Sequence, residues 1–249
     1  IELNTDEGVF PTGGVFMERP FYFYKKDESY IALLGVGLSF VPGTNTMDIE
    51  LQNEDGDKRK FFYMININEG TFKVSRITVP KKMVNPPKNS MKRIINEKEV
   101  LSDKLSSSQS EKLWEGEFIT PTKGKVTSRF GVKRFLNGKP KSPHSGLDIK
   151  AVKGTPVYSS NSGVVSLVSN SYFTGNTIVI DHGLELFTVY AHLSKTKVKE
   201  GDKVKKGERI GSVGSTGRST GPHLHWGVKV NGMNVNPESL RILSSLLEG

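Results

Sequence analysis

Along much of the chain apolar and polar residues alternate in short runs, with Gly, Pro, Asn or Asp between the runs. Thr46-Met47-Asp48-Ile49-Glu50-Leu51 is one such run. A period of two puts alternate side chains on one face, as in a half-buried strand. Phe21 to Tyr24, Tyr30 to Leu38, Lys60 to Ile67 and Thr71 to Val79 are also strand-prone, with turns such as Asn53-Glu54-Asp55-Gly56-Asp57 between them. Strands this short and closely spaced predict a sandwich or small barrel over residues 1–84. Pro86-Pro87 then breaks the chain. Asn89 or Ser90 is placed to cap a helix, in which Met91, Ile94, Ile95, Leu101 and Leu105 recur at roughly helical spacing. Ser106-Ser107-Ser108 should end it, and Glu111 to Trp114 should add a short turn. Residues 85–117 therefore read as a helical connector. From Phe118 to residue 249 short strands return, bounded by glycine turns. Among them are Gly163 to Val168, Thr177 to Ile180 and Leu186 to Tyr190, and Glu238 to Leu247 reads as a closing helix. Lys133 to Lys141, basic and carrying Gly138 and Pro140, reads as an exposed loop. The fold class is mainly β: a small N-terminal β domain, the connector, and a C-terminal β domain.

Composition narrows the chemistry. The 249 residues include 26 glycines and 12 prolines, in keeping with many turns. With no cysteine, any metal must be held by nitrogen and oxygen. The net charge of +9 favours polyanionic partners without choosing among nucleic acid, membrane and cell-wall polymer. The apolar run Tyr30 to Leu38 falls well short of the ~20 residues of a membrane span. Because the chain starts at Ile1, we expect an N-terminal signal or anchor to have been removed from an exported protein.

The five histidines all lie beyond residue 143. His223 and His225 stand two apart in Gly221-Pro222-His223-Leu224-His225-Trp226-Gly227. On a strand they face one way, about 6–7 Å apart, while Leu224 turns into the core. His144-Ser145-Gly146-Leu147-Asp148 supplies a further imidazole and a carboxylate, with Gly146 free to bend the chain so that they converge. Two histidines and a carboxylate suit zinc and leave a fourth position for water. Either His223 or His225 could complete that set. His192, in Tyr190-Ala191-His192-Leu193-Ser194, reads on its own as a packed strand residue, and His182, before the turn at Gly183, as structural. The acidic turn at Asp55 and Asp57 reads as solvated rather than as a calcium site.

The order and spacing of these blocks resemble the lysostaphin/LytM-type zinc metallopeptidases. Besides the histidine clusters, Ser128-Arg129-Phe130-Gly131, Gly154-Thr155-Pro156-Val157, Ile180-Asp181-His182-Gly183 and Gly217-Arg218-Ser219-Thr220-Gly221 are similar, over roughly Gly124 to Pro237. The resemblance implies an antiparallel β-roll with a central groove. It implies Zn2+ held by His144, Asp148 and His225, with His192 and His223 as the unligated catalytic pair. It further implies hydrolysis of peptide bonds in peptidoglycan. The N-terminal pattern resembles Gram-negative, shape-determining members. That points to DD-endopeptidase action at D-Ala–meso-diaminopimelate cross-links, with DD-carboxypeptidase action besides, in the periplasm near the membrane.

The alternative is a non-catalytic wall-binding or amidase-activating module, against which the complete ligand set argues. A lipoyl- or biotinyl-type carrier is hinted at by the echo between Val152 to Val157 and Lys199 to Gly211, but neither copy offers a lysine at a tight hairpin tip. Nucleic acid is not expected as a partner, because the basic residues of the C-terminal half are not interleaved with aromatics. We expect Lys133, Arg134, Lys139 and Lys141 to line one wall of the cleft and to attract substrate carboxylates. The N-terminal domain should partly occlude that cleft.

Overall fold

The computed structural model describes residues 1–78 and 86–246. The expected boundary between Val84 and Asn85, and the last residues of the expected closing helix, lie outside this set. The N-terminal part holds β1 (Glu2–Leu3), β2 (Val9–Phe16), β3 (Arg19–Phe21), β4 (Phe23–Lys26), β5 (Ser29–Ala32), β6 (Gly43–Asn53), β7 (Lys58–Ile67) and β8 (Val74–Ile77). Helix α1 (Lys88–Leu105) follows. Then come β9 (Lys125–Ser128), β10 (Lys133–Leu136), β11 (Lys139–Pro140), β12 (Gly146–Lys150), β13 (Pro156–Tyr158), β14 (Gly163–Ser171) and β15 (Gly175–Asp181). The last elements are β16 (Leu186–Leu193), β17 (Lys195–Thr196), β18 (Lys203–Val204), β19 (Arg209–Ser212), β20 (His223–Val230), β21 (Met233–Val235) and α2 (Pro237–Leu246).

The protein is mainly β. One sheet carries the order β18-β14-β15-β16-β20-β12-β9, with β21 beside β20, and its pairings are antiparallel. Its central strands are buried on both faces, so Leu186–Leu193 reads as a nearly continuous apolar run rather than a clean alternation. Ile178, Ile180, Tyr190, Leu224 and Trp226 fill the main core. Each such side chain is worth about 1.5–3 kcal/mol on burial. A second core gathers Phe16, Phe21, Ala32, Met47 and Ile49 from β2, β3, β5 and β6.

Four expectations about elements change. Tyr30 to Leu38 is a strand only as far as Ala32. Beyond it the chain passes over the β20–β21 hairpin, where a Cβ on Gly35 would lie 2.2 Å from the Val230 carbonyl oxygen. The Gly35 amide donates to Asn231 Oδ1 at 3.1 Å, in the hairpin turn. Asn231 and Gly232 take the positive φ values (49° and 73°) that an Asn-Gly hairpin turn needs. Lys133 to Lys141 is not a loop but the hairpin β10–β11, and β8 pairs in parallel with β10. An N-terminal strand thus shares a sheet with the histidine-rich half. Finally, α1 starts at Lys88, after Pro87 at φ −56°, with no side-chain cap from Asn89 or Ser90. Pro87, with ψ 147°, is still extended and itself occupies the cap position, so Asn89 and Ser90 already lie inside the helix. The helix lies across the large sheet: Leu101 and Leu105 pack on Leu167, Val179 and Phe187, and Arg93 donates to the Asn170 carbonyl at 2.8 Å. Glu111 to Trp114 forms no helical turn, but Trp114 is buried in the main core.

Candidate metal centre

Two neighbouring strands present the donor atoms. In the antiparallel pair β12–β20, Asp148 lies directly opposite His225. His144 stands just before β12, tethered by its amide to the Val132 carbonyl at 3.0 Å and by its carbonyl to the Gly131 amide at 2.8 Å. Gly146 lets this segment hug β20, since a Cβ there would lie 2.8 Å from His225 Cε1 and 2.4 Å from the Trp226 carbonyl oxygen. The result is a triangle. His144 Nε2 is 2.9 Å from Asp148 Oδ1, His225 Nδ1 is 2.8 Å from the same oxygen, and the two nitrogens are 3.0 Å apart.

Protons alone leave this triangle unsatisfied. His144 Nδ1 donates to the Arg129 carbonyl at 2.9 Å, so its Nε2 carries a lone pair when the ring is neutral. With His225 neutral too, at most one proton remains for three mutual contacts between acceptor atoms. A cation satisfies all three together, and two imidazoles with one carboxylate oxygen form a donor set that suits zinc. Among the described residues, His144, Asp148 and His225 form the one such group able to hold a metal. Burial alone would raise the Asp148 pKa, but the imidazoles of His144 and His225 set against Oδ1 hold it far below the usual carboxylate range. Burial pushes His225 down, against its hydrogen bond to Asp148.

The other two site histidines face the same cleft. His192 sits in β16 with φ 63°, a left-handed conformation rare outside glycine. Its amide donates to the Thr174 carbonyl at 2.8 Å and its Nδ1 to the Thr216 carbonyl at 2.8 Å. Burial, then the neighbouring His223 and His225, push its pKa to about 3, so the ring is neutral and offers Nε2 as an acceptor. His223 Nδ1 donates to the Gly221 carbonyl at 2.8 Å, and its Nε2 lies 3.9 Å from Asp148 Oδ1. The His192 and His223 rings are 4.7 Å apart. Thus His144, His192 and His223 each fix their tautomer on a backbone carbonyl, and His225 alone points Nδ1 at the carboxylate.

His182 stands apart from this site. It is fully buried, donating from Nδ1 to the Ser162 carbonyl at 2.7 Å, with Nε2 2.7 Å from the Thr188 hydroxyl oxygen. A polar chain continues through Tyr190 to Ser160.

Arg134 belongs to the site more directly than its place in a basic stretch implied. Its Nη2 donates to Asp148 Oδ2 at 2.7 Å and to Ser128 Oγ at 3.3 Å. Asp148 is therefore divided, Oδ1 to the histidines and Oδ2 to the guanidinium. The signal was one basic residue among four, with nothing local to single it out. The surrounding cleft, of about 740 Å³, is lined by Arg134 and Lys141 but not by Lys133 or Lys139. Gly37, Leu38 and Ser39 from the N-terminal part also line it, as does Met233.

Residues 142–237 match the profile of the family described as Peptidase family M23. A Vibrio cholerae serotype O1 protein named peptidoglycan DD-endopeptidase ShyA is 47% identical over 116 residues, 46% of this chain and 27% of its own. A Neisseria meningitidis serogroup B protein named DD-carboxypeptidase/endopeptidase Mpg is 48% identical over 99 residues, 40% of this chain and 23% of its own. The chain thus matches about a quarter of the length of these curated relatives. A solved structure from Pseudomonas aeruginosa, described as peptidase M23, superposes with a TM-score of 0.74 at 27% identity, covering 95% of this chain and 90% of its own.

Proposed function

We propose, from the premise that residues 142–237 are a peptidase family M23 domain, that this protein is a zinc-dependent hydrolase of peptide bonds in peptidoglycan. The bond is the D-Ala–meso-diaminopimelate cross-link, with DD-carboxypeptidase action as a second activity. The names of the two relatives support the substrate class. The observation that carries the reading is the convergence of His144 Nε2, Asp148 Oδ1 and His225 Nδ1 within 3.0 Å of one another, beside two histidines that are not part of the triangle.

His144, Asp148 and His225 would hold the metal. Zinc, when bound, supplies Lewis acidity and lowers the pKa of water towards neutrality. His192 and His223 do the proton work. With Nδ1–H held on a carbonyl, each presents Nε2 to the cleft, and His223 accepts the proton of the attacking water, since burial leaves His192 a weak base. Once protonated, the same atom donates a hydrogen bond to the oxyanion that develops on the scissile carbonyl. Arg134 holds Asp148 Oδ2 so that Oδ1 stays aimed at the histidines. Because peptidoglycan lies outside the cytoplasm, the reading carries an extracytoplasmic location, the periplasm for a Gram-negative source. No helix among the described residues is long and apolar enough to cross a membrane.

The test is metal analysis together with digestion of purified sacculi. One zinc per chain and release of cross-link fragments, identified by mass spectrometry, are expected, with both lost in Asp148→Ala. Near-stoichiometric zinc in dialysed Asp148→Ala would count against the ligand assignment. Intact sacculi after incubation with zinc-loaded protein would favour the wall-binding alternative.

A further inference from the structure

The charged groups around the cleft are out of balance. Among the described residues, three cationic side chains line it, Arg134, Lys141 and Arg218, against a single carboxylate, Asp148. Both oxygens of that carboxylate are engaged, Oδ1 by His144 and His225 and Oδ2 by Arg134. A metal at the triangle would add further positive charge. The cleft is thus built for an anionic substrate, and the three cations are not equivalent in how they could receive one. Arg134 is committed to Asp148. Lys141 ends the β10–β11 hairpin and carries a compact charge on a flexible stem.

Arg218 is held differently. Its guanidinium carbon lies over the Phe173 ring, 4.5 Å from the centroid. A guanidinium held on a ring face is fixed in place, and its planar N–H fork matches a carboxylate bidentately. Its backbone is fixed as well. The Arg218 amide donates to the Phe173 carbonyl at 2.8 Å. At Gly217, φ 69°, a Cβ would lie 2.4 Å from the Gly175 amide nitrogen, so the 217–219 segment and the turn before β15 are locked together. The next residue, Ser219, places its hydroxyl 3.2 Å from His223 Nδ1. One peptide unit therefore separates Arg218 from a partner of the reacting histidine.

We propose that Arg218, stacked on Phe173, is a specificity-determining residue that binds a substrate carboxylate next to the scissile amide. The inference rests on the hydrolase reading above and adds the chemical feature that the site selects. In a cross-link whose amide nitrogen comes from diaminopimelate, the residue on the amine side carries such a carboxylate beside the bond. Substrates in which that group is a primary amide lose the pairing and keep everything else.

The experiment compares kcat/KM of the zinc-loaded full chain on two cross-linked stem-peptide dimers, one with that carboxylate free and one with it amidated. Wild type should prefer the free acid by about tenfold or more, since a site built to pair a polar group discriminates against the analogue lacking it. Arg218→Gln should bring the ratio close to one, and Arg218→Lys, which keeps the charge but not the planar donor edge, should fall between. Zinc content is measured in each variant, and the inference requires it to stay at the wild-type level. Equal wild-type rates on the two dimers would overturn the inference and leave the hydrolase reading standing. So would a full preference that survives in Arg218→Gln. Cleavage of neither dimer by wild type would overturn the hydrolase reading, and this inference with it.

Discussion

At His192 a φ of 63° interrupts a strand whose side chains otherwise pack as strand residues do. A left-handed conformation costs a non-glycine residue about 1–2 kcal/mol, and backbone outliers of this kind concentrate at functional sites. We expect His192→Gly to be no less stable than His192→Ala in urea unfolding, because glycine meets that φ without strain. Both variants, and His223→Ala, should keep zinc and lose about 10²–10⁴ in rate, the usual worth of general acid–base help. Zinc loss in either alanine variant would move that residue into the ligand set. Arg134 gives a companion prediction. Its contact orients the carboxylate without touching the metal position, and removing an outer partner of this kind typically costs about 10–100-fold in metal affinity. Arg134→Gln should show that loss in a chelator competition, and an unchanged affinity would confine Arg134 to the cleft wall.

Strands β15 and β16 are joined by the turn Asp181-His182-Gly183, which acts as a buried fastening. Asp181 accepts from Ser108 Oγ at 2.8 Å and from the Gln109 amide at 2.7 Å, so the connector after α1 is clasped to the sheet. His182 is wholly buried, and burial pushes its pKa from 6.5 to about 4. Above pH 6.5 the ring is neutral in both the folded and the unfolded chain, and its contribution is whole. As pH falls from 6.5 to about 4, the unfolded chain takes up a proton that the folded chain refuses, and stability drops. At about 1.4 kcal/mol per pH unit the loss is about 3 kcal/mol, levelling off below pH 4. Urea titrations across this range should therefore be steeper for wild type than for His182→Gln. Parallel curves would mean that His182 does not titrate as its burial requires.

The whole molecule brings a distant segment to the cleft. Strand β8 pairs with β10, and Asn231 ties the hairpin turn to Gly35 and, through its side-chain amide, to the Pro20 carbonyl. These contacts set Gly37, Leu38 and Ser39 along one side of the cleft. On the proposed function, a cross-linked wall polymer meets that side with more bulk than a short peptide does. Leu38→Ala should raise the rate on sacculi more than the rate on a stem-peptide dimer, and equal effects on both would remove the occlusion argument. Deleting everything before Phe118 is a poorer test than one substitution. It would take away Trp114 from the main core, the partner strand of β10 and the clasp on Asp181.

What the sequence by itself determined is local and periodic. Alternating runs between turn residues marked most of the strands, and helical spacing marked α1. His223 and His225 faced one way because a strand repeats every two residues. Mixed nitrogen and oxygen donors, with no cysteine, already pointed towards zinc. What only the tertiary structure decided depends on chain segments far apart in sequence. Which of His223 and His225 comes to lie against Asp148 is set by register: β12 lies against β20 so that Asp148 meets His225, while His223 Nε2 stays 3.9 Å from the carboxylate. Arg134 gained its place from the hairpin that carries it past Asp148, and the apolar run after Ala32 left its sheet because Gly35 could approach the β20–β21 turn. No local pattern encodes such meetings, since each depends on which strand becomes the neighbour of which.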